Sequence, residues 1–197
     1  LPILLNNIAI WVISVSDRYF LAIWQPAKNV ASYILSYQLA GGLITVPMGL
    51  AMTILFPKLI RIERDSGERA ALDLTQKMLK YYLRYLIVIV AGASAIVIAL
   101  KYFIYVRYLF DPSVIVILVL AHAVGGLSHF YNKEFELNGR TFIITKSIGV
   151  GALCNTVLNL ALIPFFGASG AAIATLAAYF VTVLVIYNLS TFKFSAA

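Results

Sequence analysis

The sequence predicts an all-α fold, an integral membrane bundle of six transmembrane helices formed by residues 1–197 as one unit. Three observations predict it. Of the 197 residues, 62% are hydrophobic and 12% charged, whereas a soluble domain carries about 25% charged residues. That is too little charge to coat a water-facing surface. Apolar runs recur at lengths near the ~20 residues that carry a helix across ~30 Å of hydrocarbon. The lysines and arginines fall between those runs instead of forming a stripe on a polar fold.

The predicted spans cover residues 3–24, 33–57, 83–103, 113–135, 145–166 and 168–187. Barrel strands are excluded, because they would alternate polar and apolar residues over only ~10 positions. In the second span, Pro47 is flanked by Gly41, Gly42 and Gly49, which predicts a bend midway. Residues 66–84 alternate charge with Leu72, Met78 and Leu79. They read as an amphipathic helix at the membrane surface that continues into the third span. Tyr81, Tyr82 and Tyr85 at one end of that span, and Tyr102, Phe103, Tyr105 and Tyr108 at the other, read as interfacial belts. Asp111-Pro112-Ser113 starts the fourth span with a capping carboxylate and a first-turn proline, and Asn138-Gly139 closes it. Pro164 and Gly167 make the last two spans a tight hairpin.

Charge sets orientation. Eleven lysines and arginines, seven of them between Lys58 and Arg84, fall on one side of the predicted membrane, and Lys28, Lys101 and Arg107 on the other. The positive-inside rule places the richer side, with both ends of the chain, in the cytoplasm. The net charge of +7 therefore serves topology and anionic lipid, and nucleic acid is not expected as a partner. Cys154 is the single cysteine and lies in an apolar run, which excludes a disulfide framework and cysteine-ligated zinc. Phosphate loops, zinc-protease motifs and hydrolase elbows are absent. Neither catalytic residues, cofactor nor metal is expected, and the chain reads as a non-enzyme. It opens on an apolar run without a methionine, so the expectation is that the polypeptide extends upstream.

Polar residues within spans carry the functional signal, since each ionisable group there costs at least ~2.5–3.5 kcal/mol. Asn7, Ser14 and Arg18 recur at spacings of 7 and 4, on one helical face. Arg18 offers a guanidinium to a phosphate or carboxylate, or else pairs with a neighbouring helix or snorkels. Asp17 lies about 100° round the helix from Arg18. In the fourth span His122, His129, Asn132, Lys133 and Glu136 share a broad face. That face either lines a hydrophilic path or is a helix end reaching water with a hydrogen-bonded buried His122 above it. Asn155 and Asn159, with Gly151, and Gly170, Ala174 and Ala178 read as close-packing faces.

The stretch from Asn155-Thr-Val-Leu-Asn159 through Pro164-Phe-Phe-Gly167-Ala-Ser-Gly170 to Thr175 resembles the last helical hairpin of polysaccharide flippases of the O-antigen type. These belong to the multidrug/oligosaccharidyl-lipid/polysaccharide exporter superfamily. Asp17-Arg18, Tyr33 opening the second span, Pro57 ending it before a basic loop, and Leu137-Asn-Gly-Arg140-Thr141 are similar to that family too. The resemblance implies one lobe of a two-lobe transporter with a central cationic cavity. Its partners would be the lipid bilayer, an undecaprenyl-pyrophosphate-linked oligosaccharide and a missing N-terminal lobe of the same polypeptide. The location implied is a bacterial inner membrane, and the role surface polysaccharide biosynthesis. It also makes Arg18 the candidate contact for a pyrophosphate or acidic sugar, with Asp17, Asn7, Ser14, His129 and Lys133 as further substrate-binding candidates. Two other classes stay open: a cation-coupled drug exporter using Asp17 as its ion site, and a non-transporting membrane scaffold.

Overall fold

The computed structural model describes residues 2–103 and 111–191. They form five helices: α1 (Pro2–Trp24), α2 (Ala27–Ser66), α3 (Glu68–Phe103), α4 (Pro112–Leu137) and α5 (Thr141–Leu189). The six-helix transmembrane bundle expected from the sequence is thus corrected to five helices. Four of these, α2 to α5, are among the described residues long and apolar enough to cross a membrane. Two causes account for the difference. Asn6, Asn7, Asp17 and Arg18 interrupt the apolar run of α1. The fifth and sixth expected spans run together as α5, a stretch of 49 residues whose two helical arms meet without a loop at a single non-helical residue, Gly167 (φ 54°, ψ −129°).

At Gly167 the chain reverses. Straight, 49 residues would reach about 74 Å at ~1.5 Å per residue, far beyond the hydrocarbon thickness. The two arms, residues 141–166 and 168–189, instead lie against each other through small residues. A methyl group at Gly170 would stand 2.7 Å from the Leu162 carbonyl oxygen, and one at Gly151 would stand 3.0 Å from that of Ala178. Such approach is what small residues four apart permit.

Pro57 does not end α2, contrary to expectation. Its missing N–H frees only the Thr53 carbonyl, while Leu55 and Leu59 on the same helix are buried against Ala71, Leu79 and Phe135. The helix therefore runs on to Ser66; the Gly67 N–H still bonds the Glu63 carbonyl at 2.8 Å, and the Gly67 φ of 86° then takes the chain out of the helix. The surface-lying helix expected over residues 66–84 is the first part of α3, continuous with the span as predicted. Its apolar face, however, is covered by protein: Ala71 and Leu79 are buried in the same cluster as Leu59. Tyr81 and Tyr85 are exposed as a belt requires, but Tyr82 turns inward and donates to the Ala123 carbonyl at 2.7 Å. The side chains of Lys101, Tyr102, Phe103, Tyr105, Arg107, Tyr108 and Lys193 lie outside the described residues.

The helix α4 begins as its sequence dictates, with Asp111 accepting from the Ser113 N–H at 2.9 Å and Pro112 in the first turn. It ends at Asn138 and Gly139 (φ 64°). Asn138 donates to Glu68 at 2.7 Å, joining the α4–α5 turn to the start of α3. The buried Glu134 accepts from the Ser190 and Thr191 hydroxyls and from the Thr191 N–H, which holds the end of α5 on α4. Two apolar clusters result. One, around Leu21, Tyr33, Ile115, Leu118 and Ala171, serves the end where Gly167 turns. The other, around Leu59, Leu79, Phe135 and Ile186, serves the end where Gly67 and Gly139 turn. The pairing that matters for the site is α1 along α5 and α2 along α4, while α1 touches α2 little.

Candidate functional site

Because α1 and α2 each follow a different partner, a cavity of about 510 Å³ opens between α1, α2, α4 and α5. That size falls within the ~300–1,000 Å³ of small-molecule sites. It runs from Ser14, His122 and Tyr179 at its deep end to Glu136 and Thr141 at the α4–α5 turn. Apolar walls come from Ile10, Ile13, Met48, Ile144 and Ile148, and polar ones from Asn6, Thr45, Ser128, His129 and Asn132.

The deep end is built from aromatic and hydroxyl groups. His122 is 6% exposed; its Nδ1 bonds the Thr45 hydroxyl at 3.0 Å, and its ring stands edge-on to Tyr37 at 4.9 Å and tilted to Tyr179 at 5.7 Å. The Tyr37 and Tyr179 hydroxyls are 3.4 Å apart. Above them Arg18 stacks its guanidinium 5.3 Å from the Tyr37 ring centre. Asp17 is fully buried and accepts from the Tyr33 hydroxyl and, at 2.8 Å, from the Arg18 N–H.

The structure separates the residues singled out from sequence. Ser14 and His129 line the cavity. Asp17 and Arg18 lie outside its lining, in the network just described. Asn7 is exposed, and the neighbouring Asn6 takes the cavity-facing position. The face of α1 that lines the cavity is 6, 10, 13 and 14, a helical repeat lying beside the 7, 14 and 18 stripe read from the sequence. Lys133 is buried, paired with Glu136 at 2.5 Å and 4.5 Å from the Phe56 ring centre. Asn155 bonds Ser16 at 3.3 Å and Asn159 at 2.9 Å, at the contact of α1 with α5. Thr45 and Tyr179 were missed by sequence reading, for hydroxyls within an apolar span carry no signal of the direction they face.

Charge is nearly absent from the lining. Among the described residues it holds no lysine or arginine, and its one carboxylate, Glu136, is paired with Lys133. Three buried atoms of the lining residues have no partner in the protein: Asn6 Oδ1, His122 Nε2 and Asn132 Oδ1. An unpaired buried polar atom costs about 1–3 kcal/mol; these three do not cluster, since His122 and Asn132 alone are ten residues apart on α4, about 15 Å by helical rise. The chain is a multi-pass, mostly apolar helical bundle of the kind a membrane holds. Compared with family models, curated proteins and solved structures, it matches none.

Proposed function

We propose that the chain is one lobe of a transporter that moves a lipid-linked oligosaccharide between the leaflets of a bacterial inner membrane. The observation that carries this reading is the cavity: a space within an apolar bundle, walled mainly by apolar side chains with uncharged polar ones among them. Packing alone would close such a space, since interiors are filled to the density of organic crystals. The likeness of the final hairpin to polysaccharide flippases supports the substrate class and a second lobe opposite this one. Intramembrane polar groups facing a cavity are the usual mark of a substrate path.

The test uses the full-length protein in liposomes, following delivery of a lipid-linked oligosaccharide to the far leaflet. His129→Leu and Asn132→Leu should each slow delivery roughly 2- to 10-fold, the value of one hydrogen bond of ~0.5–1.5 kcal/mol, with accumulation unchanged. A folded double variant that transports at the parental rate would take the cavity out of the pathway.

The proposed orientation follows from the eleven-to-three distribution of basic residues. With Cys154 replaced by alanine, single cysteines at Glu68 and Arg140 should resist an impermeant maleimide in intact cells, and one at Lys28 should react. The reverse pattern would invert the chain in the membrane.

A further inference from the structure

One side of α3 changes character along its length. Lys77, Lys80, Tyr81, Arg84 and Tyr85 are all exposed, and the apolar Ile87 and Val88 that follow are 80% and 67% exposed. Positions three and four apart share a helix face, so these residues form one stripe, while Ala71, Thr75 and Leu79 bury the opposite side. In a helix long and apolar enough to cross a membrane, aliphatic side chains that exposed belong against lipid. The edge of the hydrocarbon on this stripe therefore falls between Tyr85 and Ile87. Counted outward from Ile87, Arg84 stands about 5 Å and Lys80 about 10 Å away by helical rise. Polar headgroups add roughly 5–8 Å to each side of the hydrocarbon. Arg84 thus lies at headgroup depth and Lys80 at its outer edge.

These cations are not spent on the protein. No carboxylate pairs with Lys77, Lys80 or Arg84 among the described residues. The sequence holds neither Asp nor Glu from Leu74 to Phe110, and the nearest acid, the exposed Asp73, lies one turn before Lys77. The turn at Gly67 is built differently. There Arg61, Arg64 and Arg69 alternate with Glu63, Asp65 and Glu68, and the charges cancel. The unbalanced charge of this elbow is therefore concentrated where the helix enters the membrane. The anion found at that depth is a lipid phosphate. A guanidinium forks onto phosphate oxygens, an ammonium adds a point charge, and tyrosine hydroxyls donate beside them.

We propose that this face of α3 is a docking site for an acidic phospholipid, with Arg84 and Lys80 on its phosphate and Tyr81, Tyr85 and Val88 along its glycerol and tail. Lys77, a turn further out, adds attraction at longer range. No residue of α3 lines the cavity, so the site is separate from the transport path and stands whether or not that reading holds.

The test reconstitutes the full-length protein in phosphatidylcholine containing a minor share of phosphatidylglycerol. The protein is then washed in neutral detergent at low or high salt, and the lipids it keeps are counted by mass spectrometry. The parent should keep phosphatidylglycerol over phosphatidylcholine, and less so at high salt. Lys80→Gln and Arg84→Gln should each lower the preference roughly 5-fold, what one basic residue contributes near an anionic surface, and the double variant should lower it further. Arg84→Lys, which keeps the charge and loses the fork, should fall between parent and Arg84→Gln. The triple variant Arg61→Gln, Arg64→Gln, Arg69→Gln removes more charge from the same elbow and should behave as the parent. A triple variant that loses as much as the double one reduces the effect to overall charge and overturns the proposal. So does a double variant with the parental preference, or a parent with none. Displacement of the lipid by free glycerol phosphate would make this a site for soluble phosphate and overturn it too. Should the double variant not accumulate, the parent decides: a preference that salt leaves unchanged defeats the proposal.

Discussion

Gly170→Val is expected to open the α5 hairpin and destabilise the protein by about 1–3 kcal/mol, the range for forcing volume into a packed contact. The upper end applies here because the obstruction is backbone. A Cβ at residue 170 meets the Leu162 carbonyl oxygen at 2.7 Å and its carbon at 2.8 Å, and a carbonyl cannot rotate aside as a side chain can. Gly167→Val should be comparably harmful for another reason. Its φ of 54° with ψ of −129° is a region that residues with a Cβ enter only at a cost of about 1–3 kcal/mol, and the new Cβ would also stand 3.2 Å from the Gln25 side chain. Gly149→Ala, which meets nothing within 4 Å, is the control and should leave stability unchanged or slightly raised, since alanine is the better helix former. Unfolding by a denaturing detergent, read by helical circular dichroism, measures all three. If Gly170→Val unfolds at the parental midpoint, the two arms do not pack as described.

Asp17→Ala should cost about 1.5–3 kcal/mol, the range for a hydrogen bond to a charged group. The carboxylate is wholly buried, accepts from the Tyr33 hydroxyl and the Arg18 N–H, and ties α1 to α2 where these helices otherwise touch little. Tyr33→Phe should cost less. The double variant should lose less than the sum of the two by 0.5 kcal/mol or more, because once one partner is gone the other is already unpaired. Strict additivity in the same unfolding assay would mean the bond contributes nothing. Asp17→Asn keeps an acceptor oxygen and should stay close to the parent in stability. Its transport then separates two roles: full activity identifies Asp17 as a tie between helices, and lost activity in a stable protein identifies its charge as part of the transport cycle.

Residues whose meaning is local were legible in the sequence. Asp111, Pro112, Asn138 and Gly139 bound α4 where they were expected to, since caps and turns depend on neighbours one to four positions away. Gly167 reverses the chain where the hairpin was read, with Gly170 at the close approach. Apolar, helical, multi-pass character followed from composition and run length.

What depends on facing surfaces was not legible. Pro57 looked like a terminator by its own chemistry, and only the packing of Leu55 and Leu59 against α3 and α4 carries α2 beyond it. The count of helices changed because the two expected spans, read correctly as a hairpin about Gly167, meet there with no intervening loop and run together as α5. Asn7 and Asn6 are equal in sequence, and the rotation of α1 against α5 turns one outward and the other into the cavity. Lys133 and His129 shared a predicted face, yet Glu136 and Phe56 take the lysine while the histidine stays in the lining. By itself the sequence determined which segments are helical and, at Gly139 and Gly167, where the chain turns, because hydrogen bonding along a helix is set within a few residues. Only the tertiary structure decided which polar groups meet and which are left without partners, because that depends on how each helix is rotated, at ~100° per residue, against neighbours distant in the chain.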